Sequence, residues 1–525
     1  MRDAASLAAA TEKLRRHYGF RAFRPAQEAV VRAVLAGRDV LAVLPTGGGK
    51  SACFQVPALL RPGLTVVVSP LIALMEDQVE AARRRGIPAA CLASTLSPSR
   101  RRRTEADLRA GCFKLLYVSP ERLESPRFRR LVGSRAVSLL AVDEAHCISE
   151  WGHDFRPSYR RIDDFRRFCR SPPAVALTAT ATARTRADIE EALGLRDPVR
   201  VIRAVDRSNL RWSARRVPSL AEGALLALRR VRQEPGAAIV YVPTRRRATR
   251  LAQAFRRRGS AAAAYHAGLA PERRTRVQEA FLGGEIRVVC ATGAFGMGVD
   301  HGAVRIVCHL GLPGSLEACE QEAGRAGRDG RPARCLLLAC PGDVRLQRAL
   351  IRRAWPSPRT LDRVWAALPP GRGVRASELR PPGRGRRLGE QEIAVAFRLL
   401  VEFGCAREVS AGPVAGPGPG VESDSVAGPG PDVRALLADA SSPAPEGVWS
   451  PAVVRAPGPL RRRLDFSAPR RGRRRARERL WALERYLRAR RCRRASIAVY
   501  FGDPAPRCSG CDRCERFSPP SPRVS

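Results

Sequence analysis

The stretch VLAVLPTGGGKSACFQVPALL, residues 40–60, reads as strand, glycine-rich turn and helix in immediate succession. Val40 to Leu44 make a short apolar run of the kind that forms a buried strand, Pro45 to Gly49 interrupt it, and Lys50-Ser51 open an apolar segment that a helix accommodates. Consecutive glycines let backbone N–H groups converge on phosphate oxygens without Cβ interference, and a helix beginning near Lys50 adds the positive end of its dipole. Thr46, Gly47, Gly48, Gly49 and Lys50 are therefore candidate phosphate ligands, with Lys50 neutralising the β/γ-phosphates and the Ser51 hydroxyl a candidate Mg²⁺ ligand. The strict pattern has Gly where this chain has Leu44, so the match is to a relaxed phosphate loop, and a glycine-rich turn with a stray lysine is the bland alternative.

A chain of 525 residues exceeds what one hydrophobic core serves, which predicts three or more domains. No run of eighteen apolar residues suggests a membrane span, and the N-terminal segment has no apolar stretch fit for a signal peptide. A soluble, cytoplasmic protein is expected. The formal net charge of +44 points to a polyanionic partner, nucleic acid before membrane. Only Lys13, Lys50 and Lys114 are lysines, so part of the arginine content reflects compositional bias. A lysine at the phosphate loop of such a chain stands out, because a compact ammonium and a guanidinium fork are not equivalent there. Most of the fifteen cysteines lie singly in apolar runs, such as Cys53, Cys91, Cys290, Cys308 and Cys335, and read as small core residues in a reducing compartment.

Ahead of the phosphate loop, Phe20, Arg24 and Gln27 lie just before a helical segment, EAVVRAVLAG, that Gly37 would end. An aromatic face, a guanidinium and an amide there can stack on adenine and bond its edge, and an ordinary amphipathic helix entry fits equally well. Beyond the loop, apolar runs at 65–69, 115–119, 139–143 and 174–180 alternate with helical segments, the pattern of a parallel sheet flanked by helices. The third runs into Asp143-Glu144, where a first carboxylate can hold Mg²⁺ and a second can activate the attacking water. A second lobe repeats the pattern at 238–242, 262–266, 287–292, 305–310 and 334–339. It has no phosphate loop and instead carries Arg325 and Arg328, which share a face if that turn is helical and could reach the γ-phosphate as arginine fingers.

In order along the chain, PTGGGKS, SPLIALMEDQV (69–79), YVSPERL (117–123), DEAHCISEWGHDFRPSYRRI (143–162), LTATAT (177–182), YHAGL (265–269), ATGAFGMGVD (291–300) and QEAGRAGRDG (321–330) resemble the RecQ family of DNA helicases over roughly residues 10–345. The resemblance implies an ATP-driven motor of two RecA-like lobes that moves 3′-to-5′ on single-stranded DNA and unwinds duplex or branched DNA in recombination and repair. It implies that Phe20 stacks on adenine while Arg24 and Gln27 read its edge. Lys50 and Ser51 would bind phosphate and Mg²⁺, Asp143 would hold the metal through water, and Glu144 would be the catalytic base. Arg325 and Arg328 would sense the γ-phosphate, and Asp300 resembles a second-lobe residue that contacts ribose. Trp151, His153, Phe155, Arg156 and Tyr159 resemble the family's aromatic-rich loop, which couples DNA binding to hydrolysis; aromatic faces and arginines also stack on unpaired bases for general reasons, with a plain core role as the alternative. Cys319-Glu320 and Ala323 depart from the usual pattern without removing a phosphate ligand.

After residue 345, TLDRVWAAL (360–368), ASELR (376–380) and EQEIAVAFRLLVEFG (390–404) read as helices and CAREV (405–409) as a strand, compatible with a small winged-helix-like unit or a helical spacer. The repeated AGPGP stretch that follows cannot bury a core and reads as linker. Near the C-terminus, a helical segment with Leu480, Trp481, Leu483 and Leu487 on one side leads to Cys492, then Cys508, Cys511 and Cys514 in CxxCxxC spacing. Four thiolates suit tetrahedral Zn²⁺, the RecQ zinc module has this layout, and an iron–sulfur cluster is the rival.

The expected organisation is α/β: two tandem RecA-like lobes of parallel sheet flanked by helices (1–203 and 204–345), a winged-helix-like or helical unit (346–410), a linker (411–475), a helical zinc-binding module (476–516) and a tail (517–525). Expected cofactors are ATP, Mg²⁺ and Zn²⁺, and the expected partner is single-stranded and duplex or branched DNA, engaged by a monomer. An RNA helicase of the same superfamily, or a DNA-binding adaptor with a vestigial motor, are the alternatives.

Overall fold

Strands buried along their whole length, such as Val40–Val43 and Leu64–Val68, belong in the middle of a sheet covered on both faces, the situation of a parallel sheet with crossover helices. A computed structural model describes residues 2–93, 96–133, 135–149, 157–203, 206–296, 301–369, 373–381, 387–402, 406–409, 452–455, 467–508 and 510–515. In the first lobe β1 (Val40–Val43), β2 (Leu64–Val68), β3 (Ala89–Leu92), β4 (Leu115–Val118), β5 (Val137–Val142), β6 (Ala174–Thr178) and β7 (Val199–Ile202) pair in the order β3-β4-β2-β5-β6-β1-β7. All neighbours are parallel. Because β5, β6 and β1 are adjacent, the segments leaving their C-terminal ends converge on one edge of the lobe.

The second lobe is also wholly parallel, with β8 (Leu210–Arg216), β9 (Ala237–Tyr241), β10 (Ala262–Tyr265), β11 (Val288–Ala291), β12 (Val304–Leu310) and β13 (Ala333–Ala339) in the order β10-β11-β9-β12-β13-β8. The apolar runs expected as strands in the two lobes all appear. The sequence reading passes over β3, β7 and β8. The last two lie at sheet edges, where polar and apolar residues alternate and one face is wet, so neither makes a continuous apolar run.

The C-terminal region departs from the expected boundaries. Helix Asp343–Ala354 crosses the proposed limit at 346, and it packs against a helix that runs Ser467–Arg488, nine residues earlier than the proposed module start at 476. A Cβ added to Gly472 would lie 2.5 Å from the Trp355 ring, so the two helices close directly on one another. The smaller unit is therefore inserted into a helical pair rather than placed before it. The unit comprises helices Pro358–Ala367 and Glu390–Glu402, with β14 (Ala406–Val409) antiparallel to β15 (Ala452–Arg455), around a core of Leu361, Val364, Ile393, Phe397 and Leu400. β15 falls within the stretch expected to be linker. Residues 376–380, expected as helix, form a single turn: Leu379 N–H bonds the Arg375 carbonyl and Glu378 accepts from Arg375 N–H, and five residues are too few to propagate a helix.

The last helix, Arg493–Phe501, and the preceding long helix bury Leu483, Tyr486, Leu487, Ile497 and Phe501 in one continuous core with Trp212, Leu337 and Cys319 of the second lobe. Cys511 forms a bridge beside Trp212, and Asp512 N–H bonds the Trp212 carbonyl at 3.0 Å, so the module caps the exposed edge of β8.

Candidate functional site

At the end of β1, Gly47 (φ +80°) and Gly49 (φ +73°) take left-handed conformations that only glycine adopts cheaply. A Cβ on Gly48 would meet the Pro45 carbonyl at 2.8 Å, and one on Gly49 would meet Gln27 Nε2 at 2.2 Å. Gln27 and Arg24 hold this loop from its own carbonyl side. Gln27 Nε2 donates to the carbonyls of Gly48 and Gly49, both at 3.1 Å, and Arg24 NH1 donates to that of Gly47 at 2.9 Å. Gln27 Oε1 accepts from Arg24 N–H at 2.9 Å, which closes the set. Phe20 is 59% exposed and stacked beside Tyr18, open to a planar ligand. Lys50 Nζ lies 3.4 Å from the Leu44 carbonyl, and Ser51 precedes the helix Ala52–Leu60.

Asp143 and Glu144 leave the end of β5. Asp143 is buried, and its carboxyl is pushed up to about 6 by burial and by Glu144, against the lowering effects of Lys50 and of a hydrogen bond from Gln78. Gln78 Nε2 donates to Oδ2 at 2.9 Å and Glu144 N–H to Oδ1 at 3.0 Å, fixing the carboxylate plane. Glu144 itself sits at φ 48°, ψ 46°, a strain on the order of 1–3 kcal/mol that surrounding contacts must hold. Its Oε2 lies 3.2 Å from His146 Nδ1, and that nitrogen is 3.0 Å from Thr178 Oγ1 at the end of β6. Thr178 in turn donates to the Thr180 carbonyl, so the acidic segment and residues 178–180 share one network.

Tyr159 is fully buried, and its hydroxyl donates to the Asp143 carbonyl at 3.2 Å. It offers no face to a base; it ties the segment after the acidic motif to the backbone at Asp143. Trp151, His153, Phe155, Arg156 and Asp300 lie outside the described residues.

Across the cleft, the expectation that Arg325 and Arg328 share a helical face does not hold. The helix Leu316–Ala323 ends before them and Gly327 (φ +56°) turns the chain between them, and the two side chains make different contacts. Arg325 is buried in its own lobe and donates to the Gly296 carbonyl. Arg328 reaches the first lobe: a Cβ on Gly47 would sit 3.6 Å from Arg328 Cγ. Gly324 likewise abuts Thr46, whose Oγ1 would be 3.3 Å from an added Cβ. A third contact between lobes joins Asp77 to Gln278 by a side-chain hydrogen bond. Glu320, one helical turn before Gly324, has its carboxyl raised to about 7 by burial, moderated by Arg207 and Lys50. Sequence alone does not single out Gln78 or Arg207, and it marks Tyr159 and Glu320 for other reasons. Gln78 and Tyr159 lie inside recognisable motifs, but partners 65 and 16 residues away leave no local signature.

The sulfurs of Cys492, Cys508, Cys511 and Cys514 all lie within 4.8 Å of one another, and Cys492 and Cys511 are 3.9 Å apart. Tetrahedral thiolates around one zinc ion stand about 3.8 Å apart, given a bond of about 2.3 Å. A multi-iron cluster would have to stand between the sulfurs and spread them wider. The Arg493 and Ala495 N–H groups donate to Cys511 and Cys492 sulfurs. Burial alone would raise the Cys511 thiol, but backbone N–H donors from Arg493, Cys514 and Arg513 bring it down to about 7, favouring the ligating thiolate.

Three family models match in succession: DEAD/DEAH box helicase over residues 24–189, helicase conserved C-terminal domain over 223–330, and RecQ zinc-binding over 459–515. Among curated proteins, the chain is 42% identical over 343 residues to the probable ATP-dependent DNA helicase RecS of Bacillus subtilis, covering 65% of this chain and 69% of that one. It is 44% identical over 336 residues to the ATP-dependent DNA helicase RecQ of Synechocystis, covering 62% and 70%. With B. subtilis RecQ the identity is 43% over 343 residues, covering 65% of this chain and 58% of the relative's length. Among solved structures, the DUF1998 helicase MrfA bound to DNA shares the fold at a TM-score of 0.55 and 21% identity, covering 65% of this chain and 50% of that one.

Proposed function

The chain belongs to the RecQ family of helicases, and on that premise we propose that it is an ATP-dependent DNA helicase moving 3′-to-5′ on single-stranded DNA and unwinding duplex or branched DNA in recombination and repair. The observation that carries this reading is Arg328 packed over Gly47: an arginine from one lobe lies against the phosphate loop of the other. A triphosphate cradled by residues 46–51 would present its γ-phosphate between Lys50 and Arg328, and charge developing in the transition state would be met from both sides.

Ser51 and Asp143 are the residues that would hold Mg²⁺, which would supply positive charge against the triphosphate. Glu144 orients and deprotonates the attacking water, and its link through His146 to Thr178 ties that carboxylate to the neighbouring strand end. Gln27 and Arg24, bonded to the loop carbonyls, would report an adenine edge to the phosphate loop, with Phe20 supplying the stacking face. Arg325, bonded to the Gly296 carbonyl, would brace the backbone there. Zn²⁺ held by Cys492, Cys508, Cys511 and Cys514 is structural, since the four thiolates leave no open position. Among the described residues no helix is long and apolar enough to cross a membrane.

Lys50→Ala and Glu144→Gln test the assignment. ATP hydrolysis stimulated by DNA should fall by roughly a thousandfold or more in each, and turnover near the wild-type rate in either would sink it. Parallel unwinding assays on DNA and RNA duplexes decide the substrate.

A further inference from the structure

We propose that Arg494, in the first turn of the helix after Cys492, positions the arginine turn for ATP hydrolysis through Asp206 and Arg207. Arg494 forks onto both carboxylate oxygens of Asp206, with Nε to Oδ1 at 2.6 Å and a second, shorter contact from NH2 to Oδ2. The guanidinium is nearly buried and the carboxylate mostly so, which makes this a shielded, bidentate pair rather than a solvated surface one.

The next residue, Arg207, points into the arginine turn. Its NH1 donates to the Gly324 carbonyl at 2.8 Å and its NH2 to that of Gly327. Asn209 adds bonds to the carbonyls of Gly327 at 2.8 Å and Arg331 at 2.9 Å. Gly327 could carry no side chain there, since a Cβ would fall 2.5 Å from Asn209 Nδ2. Two side chains of segment 207–209 thus hold the backbone from which Arg328 extends to Gly47.

The same terminal helix also grips the helix leading into the turn, because Tyr500 donates its hydroxyl to Glu317 Oε1 at 2.7 Å. Its own footing on the second lobe is firm: Arg493, fully buried, bonds Asp512, the Tyr486 carbonyl and the Ala214 carbonyl. The terminal module therefore reaches the nucleotide cleft by one continuous set of bonds, Arg494 to Asp206, along the chain to Arg207, and across to Gly324 and Gly327. Arg494, Asp206 and Arg207 are positioning residues, for none touches the loop at 46–51.

This inference rests on the proposed ATPase reading, and the test separates the two. Arg494→Ala, Asp206→Asn and Arg207→Lys are made in the full chain. Steady-state ATP hydrolysis with single-stranded DNA, zinc content, and hydrogen exchange of the amides at 324–331 are measured on each. The expected result is a kcat lower by tenfold or more with KM for ATP within about twofold, one zinc per chain retained, and exchange at 324–331 faster by tenfold or more. Should Arg494→Ala lose its metal, Asp206→Asn, outside the module, decides. Unchanged exchange at 324–331, or an unchanged kcat in zinc-loaded variants, overturns the proposal. Lack of turnover in the wild-type protein would instead sink the ATPase reading, while the exchange data would still judge the linkage.

Discussion

A methyl group at position 49 should weaken nucleotide binding, since it would both strain a φ of +73° and strike Gln27 at 2.2 Å. Gly49→Ala is expected to weaken ATP binding by roughly a hundredfold while the melting temperature stays within a few degrees, because the loop lies outside the cores. Calorimetric titration with a non-hydrolysable ATP analogue checks it. Acidity provides a second test. Burial and the neighbouring Glu144 push the Asp143 carboxyl up to about 6, and its protonated form carries no charge for the metal. As pH falls through that value, kcat/KM for ATP should drop about tenfold per unit, and the limb in kcat should lie lower, since bound nucleotide and metal favour the ionised carboxylate. A profile flat down to pH 5 would contradict that assignment. The phosphate loop and the acidic pair are legible because their residue types and spacing are local. The separate contacts of Arg325 and Arg328 are not, because they hang on a single glycine conformation, and Tyr159 looks like a base-stacking aromatic until its burial places it under Asp143.

Among the elements, β8 shows most clearly what sequence patterns leave out. Its alternation of Leu210, Trp212 and Ala214 with Arg211, Ser213 and Arg215 reads as loop unless one knows that Leu483, Tyr486, Ile497, Phe501 and Cys511 cover it. The helix Ser467–Arg488 is legible in its second half, where leucines recur at helical spacing, while the arginine-rich first half gives no apolar period. Because Phe501 lies in a core shared with the second lobe, Phe501→Ala should cost about 3–5 kcal/mol yet leave the four thiolates in place. Cys511→Ser should remove the metal as well, withdrawing folding free energy on the order of 10 kcal/mol. Metal analysis beside urea denaturation distinguishes the two: equal metal loss in both variants would refute the separation of core from metal site.

At the scale of the whole molecule, two parallel sheets face each other across a cleft, and contacts already span it at Gly47–Arg328, Thr46–Gly324 and Asp77–Gln278. The sheet architecture is readable from the alternation of apolar runs and helices, whereas the insertion of a separate small unit between the helices Asp343–Ala354 and Ser467–Arg488 is not, since only packing shows that those helices meet. That unit has its own core, so replacing residues 358–455 by a short Gly/Ser linker should leave DNA-stimulated ATP hydrolysis within about threefold of wild type. A salt series of DNA affinity on the same variant, set beside the full chain, shows from the difference in slope how many phosphates the unit neutralises. The central claim, an ATP site completed by the opposite lobe, is tested most directly by Arg328→Ala in a DNA-stimulated hydrolysis assay run beside ATP binding. The account predicts turnover reduced by a thousandfold or more with ATP affinity within about tenfold of wild type; hydrolysis at the wild-type rate would contradict it.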